Sequence, residues 1–158
     1  RRHLLDSATA LPFLQGTWML DAGSGAGLPG LVLAILAPQT RWVLAESTGK
    51  KARFLEHVVR ELNLGERVRV HAGRVESCHS GEGFDTVTAR ALANLPQLLA
   101  WLAPHLAPGG RLVALKGQRV TVEAELGALP PGWRSRVNPV TLPGQKAERC
   151  IVVVEREA

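Results

Sequence analysis

Cysteine is scarce in this chain. Cys78 and Cys150 are too few for a disulfide scaffold and share no C-x-x-C spacing, which excludes a stapled secreted fold and favours a reduced cytoplasmic protein. No apolar run approaches the ~20 residues needed to cross a bilayer. The opening Arg1-Arg2-His3-Leu4-Leu5-Asp6 lacks the apolar centre of a signal peptide, so a cytoplasmic location with no membrane partner is expected. Internal repeats and low-complexity tracts are also missing. His57, His71, His79 and His105 show no metal-ligand spacing with the cysteines, and no metal is expected. The chain has no initiator methionine and starts in a helix-like segment, as a fragment of a longer protein would.

What is present fits one globular domain spanning residues 1–158, with 46% apolar and 21% charged residues, expected as a monomer. The formal charge of +5 and a pI near 10.0 suit a polyanionic partner, because clustered Lys and Arg release counterions from phosphates.

Periodicity divides the chain into alternating strands and helices. An opening helix places Leu4, Leu5 and Ala8 on one face and ends before Pro12; a buried strand, Thr17 to Ala22, runs into a glycine-rich turn. Pro29 marks a helix start, Leu31 to Ala37 the helix body, and Arg41 to Glu46 a second buried strand. Gly49 to Leu64 carries apolar Ala52, Phe54, Leu55, Val58, Val59 and Leu62 at helical spacing and is stopped by Gly65. Strands at Arg67 to Ala72, Phe84 to Ala89 and Arg111 to Lys116 alternate with a helix from about Leu95 to Leu106, which ends at Pro108-Gly109-Gly110. A short helix near Val120 to Leu129 follows. Trp133 to Leu142 and Arg149 to Glu155 are then joined by a link too short for a crossover helix and should pair antiparallel. The expected fold class is α/β: a mostly parallel twisted Rossmann-like sheet, helices on both faces, a C-terminal antiparallel β-hairpin, and a ligand site beyond the carboxyl ends of the strands. Trp18, Trp42, Trp101 and Trp133 fall in these elements and read as core packing.

Leu20 to Gly30 is the most informative stretch. A dinucleotide fingerprint beginning at Gly23 and Gly25 would need Gly or Ala where Leu28 stands, so a nicotinamide cofactor fits poorly. The spacing is D-x-G-x-G-x-G, which resembles motif I of class I methyltransferases. Asp21 would then anchor the loop or meet the ammonium of S-adenosylmethionine. A tight turn using glycine only for packing is the alternative. Glu46 ends the second strand 19 residues past Gly27, near the spacing of about 20 at which an acid accepts from ribose hydroxyls. Its plainer reading is an exposed acid or a helix-cap partner, although Ser47 is the more natural cap. Gly73-Arg74-Val75-Glu76 follows the third strand, where such folds contact adenine; Glu76 otherwise reads as a solvated charge.

His3-Leu4-Leu5-Asp6-Ser7, Leu20 to Gly30, Gly49-Lys50-Lys51-Ala52-Arg53-Phe54-Leu55, Gly73 to Glu76, Thr88-Ala89-Arg90-Ala91 and Ala114-Leu115-Lys116-Gly117 occur in this order. Together they resemble the bacterial 16S rRNA guanine-N7 methyltransferases, once named glucose-inhibited division protein B, from His3 to about Val154. The resemblance implies S-adenosylmethionine as cofactor and 16S rRNA or the 30S subunit as partner. It also implies a cofactor site of Asp21, Gly23, Ser24, Gly25, Gly27, Leu28, Glu46, Ser47, Thr48, Val75, Glu76 and Arg90. Glu46 stands where the family usually has Asp, and the helical extension expected before His3 is absent.

Guanine N7 carries an in-plane lone pair and no proton, so in-line attack on the methyl sulfonium requires no general base; accordingly, no convincing catalytic dyad stands out. Arg90, just past the fourth strand, is the first choice as a catalytic group, bonding guanine O6 or a phosphate, with an ion pair to Asp85 or Glu76 as the structural alternative. His3, Lys50, Lys51, Arg53, Lys116 and Arg119 are candidate RNA contacts, against packing for His3 and solvated charge for the lysines and Arg53. Asp6 and Ser7 would contact the cofactor loop. The competing readings are a methyltransferase for another RNA, a small molecule or a protein, a nucleotide-binding oxidoreductase, and an inactive RNA-binding protein.

Overall fold

A computed structural model describes residues 2–79, 81–90, 93–117, 119–146 and 148–158, with the side chains of Arg2, Arg119 and Val120 outside that description. The chain runs α1 (Arg2–Ala8), β1 (Trp18–Ala22), α2 (Gly30–Leu36), β2 (Arg41–Glu46), α3 (Gly49–Glu61), β3 (Val68–Ala72), β4 (Phe84–Arg90), α4 (Leu95–Leu102), β5 (Leu106–Lys116), α5 (Arg119–Leu126), β6 (Trp133–Val140) and β7 (Arg149–Arg156). The strands form one seven-stranded sheet in the order β3-β2-β1-β4-β5-β7-β6. β1 to β5 are parallel, and β7 enters antiparallel between β5 and β6.

Strand alternation divides the core into two layers. Leu20, Val43, Val87, Leu112 and Val152 point to the face covered by Leu95, Leu98, Leu99 and Leu102 of α4 and Val122 of α5. Met19, Trp42, Leu44, Val113 and Val153 point to the opposite face, under Leu31, Leu33 and Ala34 of α2 and Leu55 and Val59 of α3. Chain order reverses between β1 and β4, and their following helices lie on opposite faces. A crevice therefore opens at the carboxyl ends of these two strands, the usual position of ligand sites in such sheets.

The structure shifts several expected boundaries. α3 ends at Glu61 because Asn63 adopts a left-handed conformation, φ 55°, two residues before Gly65; Asn is among the few side chains that tolerate it. α4 is shorter than expected, and Pro108-Gly109-Gly110 lies inside β5 instead of in a loop. Phe84 pairs with Leu106 but Thr86 pairs with Arg111, so the glycines form a bulge at the strand entrance. Phe54 and Leu62 of α3 are about half exposed, leaving Ala52, Leu55 and Val59 as its buried face. In α1 the expected apolar face is also turned outward: Leu4 and Leu5 are half exposed, while Asp6 and Ser7 are buried. The buried face is attached to the sheet by polar contact: Asp6 Oδ2 faces Arg149 Nε at 3.5 Å, while the buried Ser7 hydroxyl donates within the helix to the His3 carbonyl.

Gly83 crosses the bulge at φ 93°, and a Cβ there would stand 2.6 Å from the Ala107 backbone nitrogen. Gly83→Ala is expected to lower the unfolding free energy by about 2 kcal/mol or more, combining left-handed strain with backbone displacement. Urea unfolding monitored by tryptophan fluorescence measures it.

Candidate cofactor and methyl-acceptor site

β1 delivers Asp21 into the interior at the strand end, and its carboxylate organises the loop that follows. Oδ2 accepts from the Ser24 hydroxyl at 2.7 Å and the Gly30 amide at 3.0 Å, while Oδ1 accepts from the Thr88 hydroxyl on β4 at 2.6 Å. A Cβ on Gly30 would lie 2.5 Å from the Asp21 Cβ, so only glycine lets α2 start this close to the carboxylate. Gly23, Gly25 and Gly27 all have positive φ, and the amides of Gly23 and Ser24 donate to the Ala45 carbonyl of β2. Asp21 is fully buried, so of its two expected roles the structure supports loop anchor and withholds it from direct contact with a ligand. Burial pushes its pKa up to about 6, against the lowering effect of the Thr88, Ser24 and Gly30 bonds and with a smaller push from the Glu46 charge.

Glu46 closes the loop from the other side. Its Oε2 accepts from the Gly25 amide at 2.8 Å and its Oε1 from the Thr48 amide at 3.1 Å, clamping the loop tip and the start of α3 to one strand end. Each oxygen retains a lone pair for a further donor. Thr48, with no side-chain capping bond, occupies the cap position expected for Ser47. Ser47 instead joins Ala22, Gly23, Ala45, Gly73, Arg74, Val75, Glu76, Leu98, Trp101 and Leu102 around a pocket of about 220 Å³. Sequence periodicity assigned Trp101 to the core, yet it is 40% exposed and lines this pocket. The turn carrying Val75 and Glu76 is held by His71, whose Nε2 lies 2.9 Å from the Ser77 hydroxyl and 3.2 Å from the Arg74 carbonyl. No role was expected for His71.

A second pocket, about 230 Å³, lies at the ends of β4, β5 and β7. It is lined by Asp6, Thr9, Arg90, Leu115, Lys116, Gly117, Val140, Arg149, Cys150 and Ile151. Ala22 and Ala89 are paired across β1 and β4, so Gly23 at the first pocket and Arg90 at the second extend from neighbouring strand ends. Arg90 Nη2 donates to His3 Nδ1 at 2.8 Å instead of pairing with an acid; Asp85 accepts from the Thr17 and Trp18 amides. Lys116 is drawn inward, 3.2 Å from Glu125 and 3.0 Å from the Ala93 carbonyl, with a side chain only 9% exposed. It is not the solvated lysine of the plainer expectation. Lys50, Lys51 and Arg53 stand exposed on the first turns of α3, and the Arg119 side chain lies outside the described residues. Asp6 and Ser7 have no hydrogen bond to the glycine loop; they face β7 and the body of α1. Arg149, Cys150 and Thr9 were missed because their sequence neighbourhoods carry no motif.

The first pocket combines the Gly23 backbone, which a ligand can approach closely, with apolar Val75, Leu98, Trp101 and Leu102, while Glu46 stands at the end of β2 and does not line it. Solved structures share the architecture. Mitomycin 7-O-methyltransferase MmcR superposes with a TM-score of 0.77 at 18% identity, covering 99% of this chain and 54% of that one. A B. subtilis tRNA methyltransferase, TrmK, gives 0.72 at 20% identity, covering 99% and 66%. A Bacillus cereus O-methyltransferase in complex with SAH gives 0.70 at 19%, covering 99% and 80%. The chain therefore has the fold of these class I methyltransferases.

The family model described as rRNA small subunit methyltransferase G matches residues 1–136. A relative from Methylococcus capsulatus, named Ribosomal RNA small subunit methyltransferase G, is 48% identical over 149 residues, covering 94% of this chain and 71% of that protein. A protein of the same name from Xanthomonas campestris pv. campestris is 44% identical over 157 residues, covering 99% and 73%. The chain belongs to the rRNA small subunit methyltransferase G family.

Glu46→Ala releases the Gly25 and Thr48 amides together and is expected to weaken S-adenosylmethionine binding by about 10- to 100-fold, two charge-assisted bonds being lost. Titration calorimetry reads this directly, and unchanged affinity would remove Glu46 from the site. Asp21 makes a second, pH-dependent expectation. Unfolded, it titrates near the ordinary 3.8; folded, near 6, so between these values the folded protein holds the extra proton and Asp21 favours folding increasingly as pH falls. Relative to Asp21→Asn, the unsubstituted protein should gain about 2 kcal/mol between pH 7 and pH 4.5, measured by paired urea unfolding curves.

Proposed function

We propose that this protein transfers the methyl group of S-adenosylmethionine to N7 of a guanine in the 16S rRNA of the small ribosomal subunit. The observation that carries this reading is the second pocket, lined by Arg90 at the end of β4, the strand that pairs with β1 and its glycine loop. The family supplies the substrate class: the relatives from Methylococcus and Xanthomonas are named as small subunit rRNA methyltransferases.

The bound cofactor supplies an electrophilic methyl group on a sulfonium centre. In the reading proposed here, Gly23, Ser24, Gly25, Gly27 and Leu28 shape the cradle for its amino-acid part, with Asp21 fixing that cradle from beneath. Glu46, Ser47 and Thr48 meet the ribose, and Val75 and Glu76 flank the adenine opposite Trp101. When bound, S-adenosylmethionine would supply its methyl group to the N7 lone pair, the sulfur retaining the electrons of the broken C–S bond. No proton leaves the base at N7, so the protein's contribution is alignment and electrostatic support, worth several kcal/mol of the barrier. Arg90 aligns the base through O6, because bonding N7 itself would occupy the attacking lone pair. His3 holds the Arg90 guanidinium, and the exposed Lys50, Lys51 and Arg53 meet RNA phosphates.

Labelled methyl transfer to undermethylated 30S subunits, followed by mass mapping, tests the reading: label at N7 of a 16S guanine is expected, and label confined to another RNA or atom would overturn it. Arg90→Ala should lower kcat about 10- to 100-fold, the cost of one charged hydrogen bond, while changing the melting temperature little. Turnover equal to that of the unsubstituted protein would remove Arg90 from the reaction.

A further inference from the structure

We propose that the pocket between α1 and the ends of β4, β5 and β7 is the subsite for the target purine, and that Asp6 selects guanine there by accepting its N1–H and 2-amino hydrogens. This rests on the reading of guanine as the methyl acceptor. The motivating feature is an incompletely satisfied acid. Asp6 is 9% exposed and lines the pocket, yet its Oδ1 is buried with no hydrogen-bond partner among the described residues. Its Oδ2 reaches Arg149 Nε only at 3.5 Å. An acid kept solely to tether α1 to β7 would be expected to satisfy both oxygens, because an unpaired buried carboxylate oxygen is costly. The long contact to Arg149 lets a turn about the Cβ–Cγ bond bring the carboxylate round to a donor in the pocket.

Guanine supplies the complement. Its N1–H and 2-amino group lie side by side and match the two oxygens of one carboxylate, giving a bidentate charge-assisted pair. Adenine offers a lone pair at N1 and a C–H at C2, so the same carboxylate repels it; the pocket both attracts guanine and rejects adenine. At about 230 Å³ the cavity is smaller than sites that take drug-sized ligands, roughly 300–1,000 Å³, and suits a single base. Arg90 and Arg149 also line the pocket and would offer donors to O6. A base held by these edges keeps its N7 lone pair free. Methylation at N7 also leaves the purine positively charged, and a carboxylate on N1–H supports that charge as it develops.

The test compares 16S RNA carrying guanine with RNA carrying inosine at the mapped position; inosine lacks only the 2-amino group. For the unsubstituted protein, kcat/KM should fall about 10- to 100-fold on inosine. For Asp6→Ala the two substrates should differ by no more than about twofold, the single bond having already been lost. Because Asp6→Ala also frees Arg149, Asp6→Asn is measured in parallel, and melting temperature and cofactor affinity report on the fold of both variants. Equal rates on guanine and inosine for the unsubstituted protein overturn the proposal without any variant, and discrimination retained in Asp6→Ala overturns the assignment to Asp6. Label at guanine N7 with inosine methylated equally well sinks this inference alone. Label absent from guanine N7 sinks the proposed function and this inference with it.

Discussion

The buried carboxylate of Asp21 is the constraint on which the rest of the site depends. It sits at the end of a central strand and spends its lone pairs on the loop at Ser24, the helix start at Gly30 and the neighbouring strand at Thr88. A charge in this position is expensive, and its raised pKa records that expense. The cost is tolerated because one group fixes three segments that must keep their relative positions if a ligand is to lie across the loop. Glu46 repeats the arrangement from the next strand, with backbone amides as its donors. Between the two acids, a run of glycines with little conformational preference becomes one defined loop.

The sheet explains why both pockets open at strand ends. Chain order reverses between β1 and β4, so the helices that follow them leave toward opposite faces and cannot close the space above the strand ends. One pocket opens on the β1 and β2 side and the other, of nearly equal volume, on the β4, β5 and β7 side. The antiparallel insertion of β7 is what brings Arg149 and Cys150 to that edge. Without it the second pocket would have no far wall. Lys116, Glu125 and the Leu95 amide form a further internal network that ties the end of β5 to α5 and to the start of α4.

Much of this was legible in the residues. Period-two and helical patterns placed the strands and helices, and the terminal hairpin followed from a link too short to cross over. Asp21 and Glu46 were visible because the spacing of acids and glycines around a strand end is a local property. Errors appeared where long-range contacts override local preference. Leu4 and Leu5 looked like the inner face of α1, but the helix turns Asp6 toward Arg149, a residue far away in sequence. Pro108-Gly109-Gly110 looked like a loop and became a bulge because β4 pairs across it.

By itself the sequence determined the alternating sheet, the glycine loop with its two acids and the family, since each is written in spacings of a few to about twenty residues that local backbone geometry enforces. Only the tertiary structure decided the second pocket. Its walls come from α1, β4, β5 and β7, segments scattered from Asp6 to Ile151, and nothing short of the folded sheet sets the buried Asp6 carboxylate against Arg149. The same holds for Trp101 and Lys116, whose exposure and pairing depend on which neighbours the fold supplies and not on the pattern of the helix or strand that carries them.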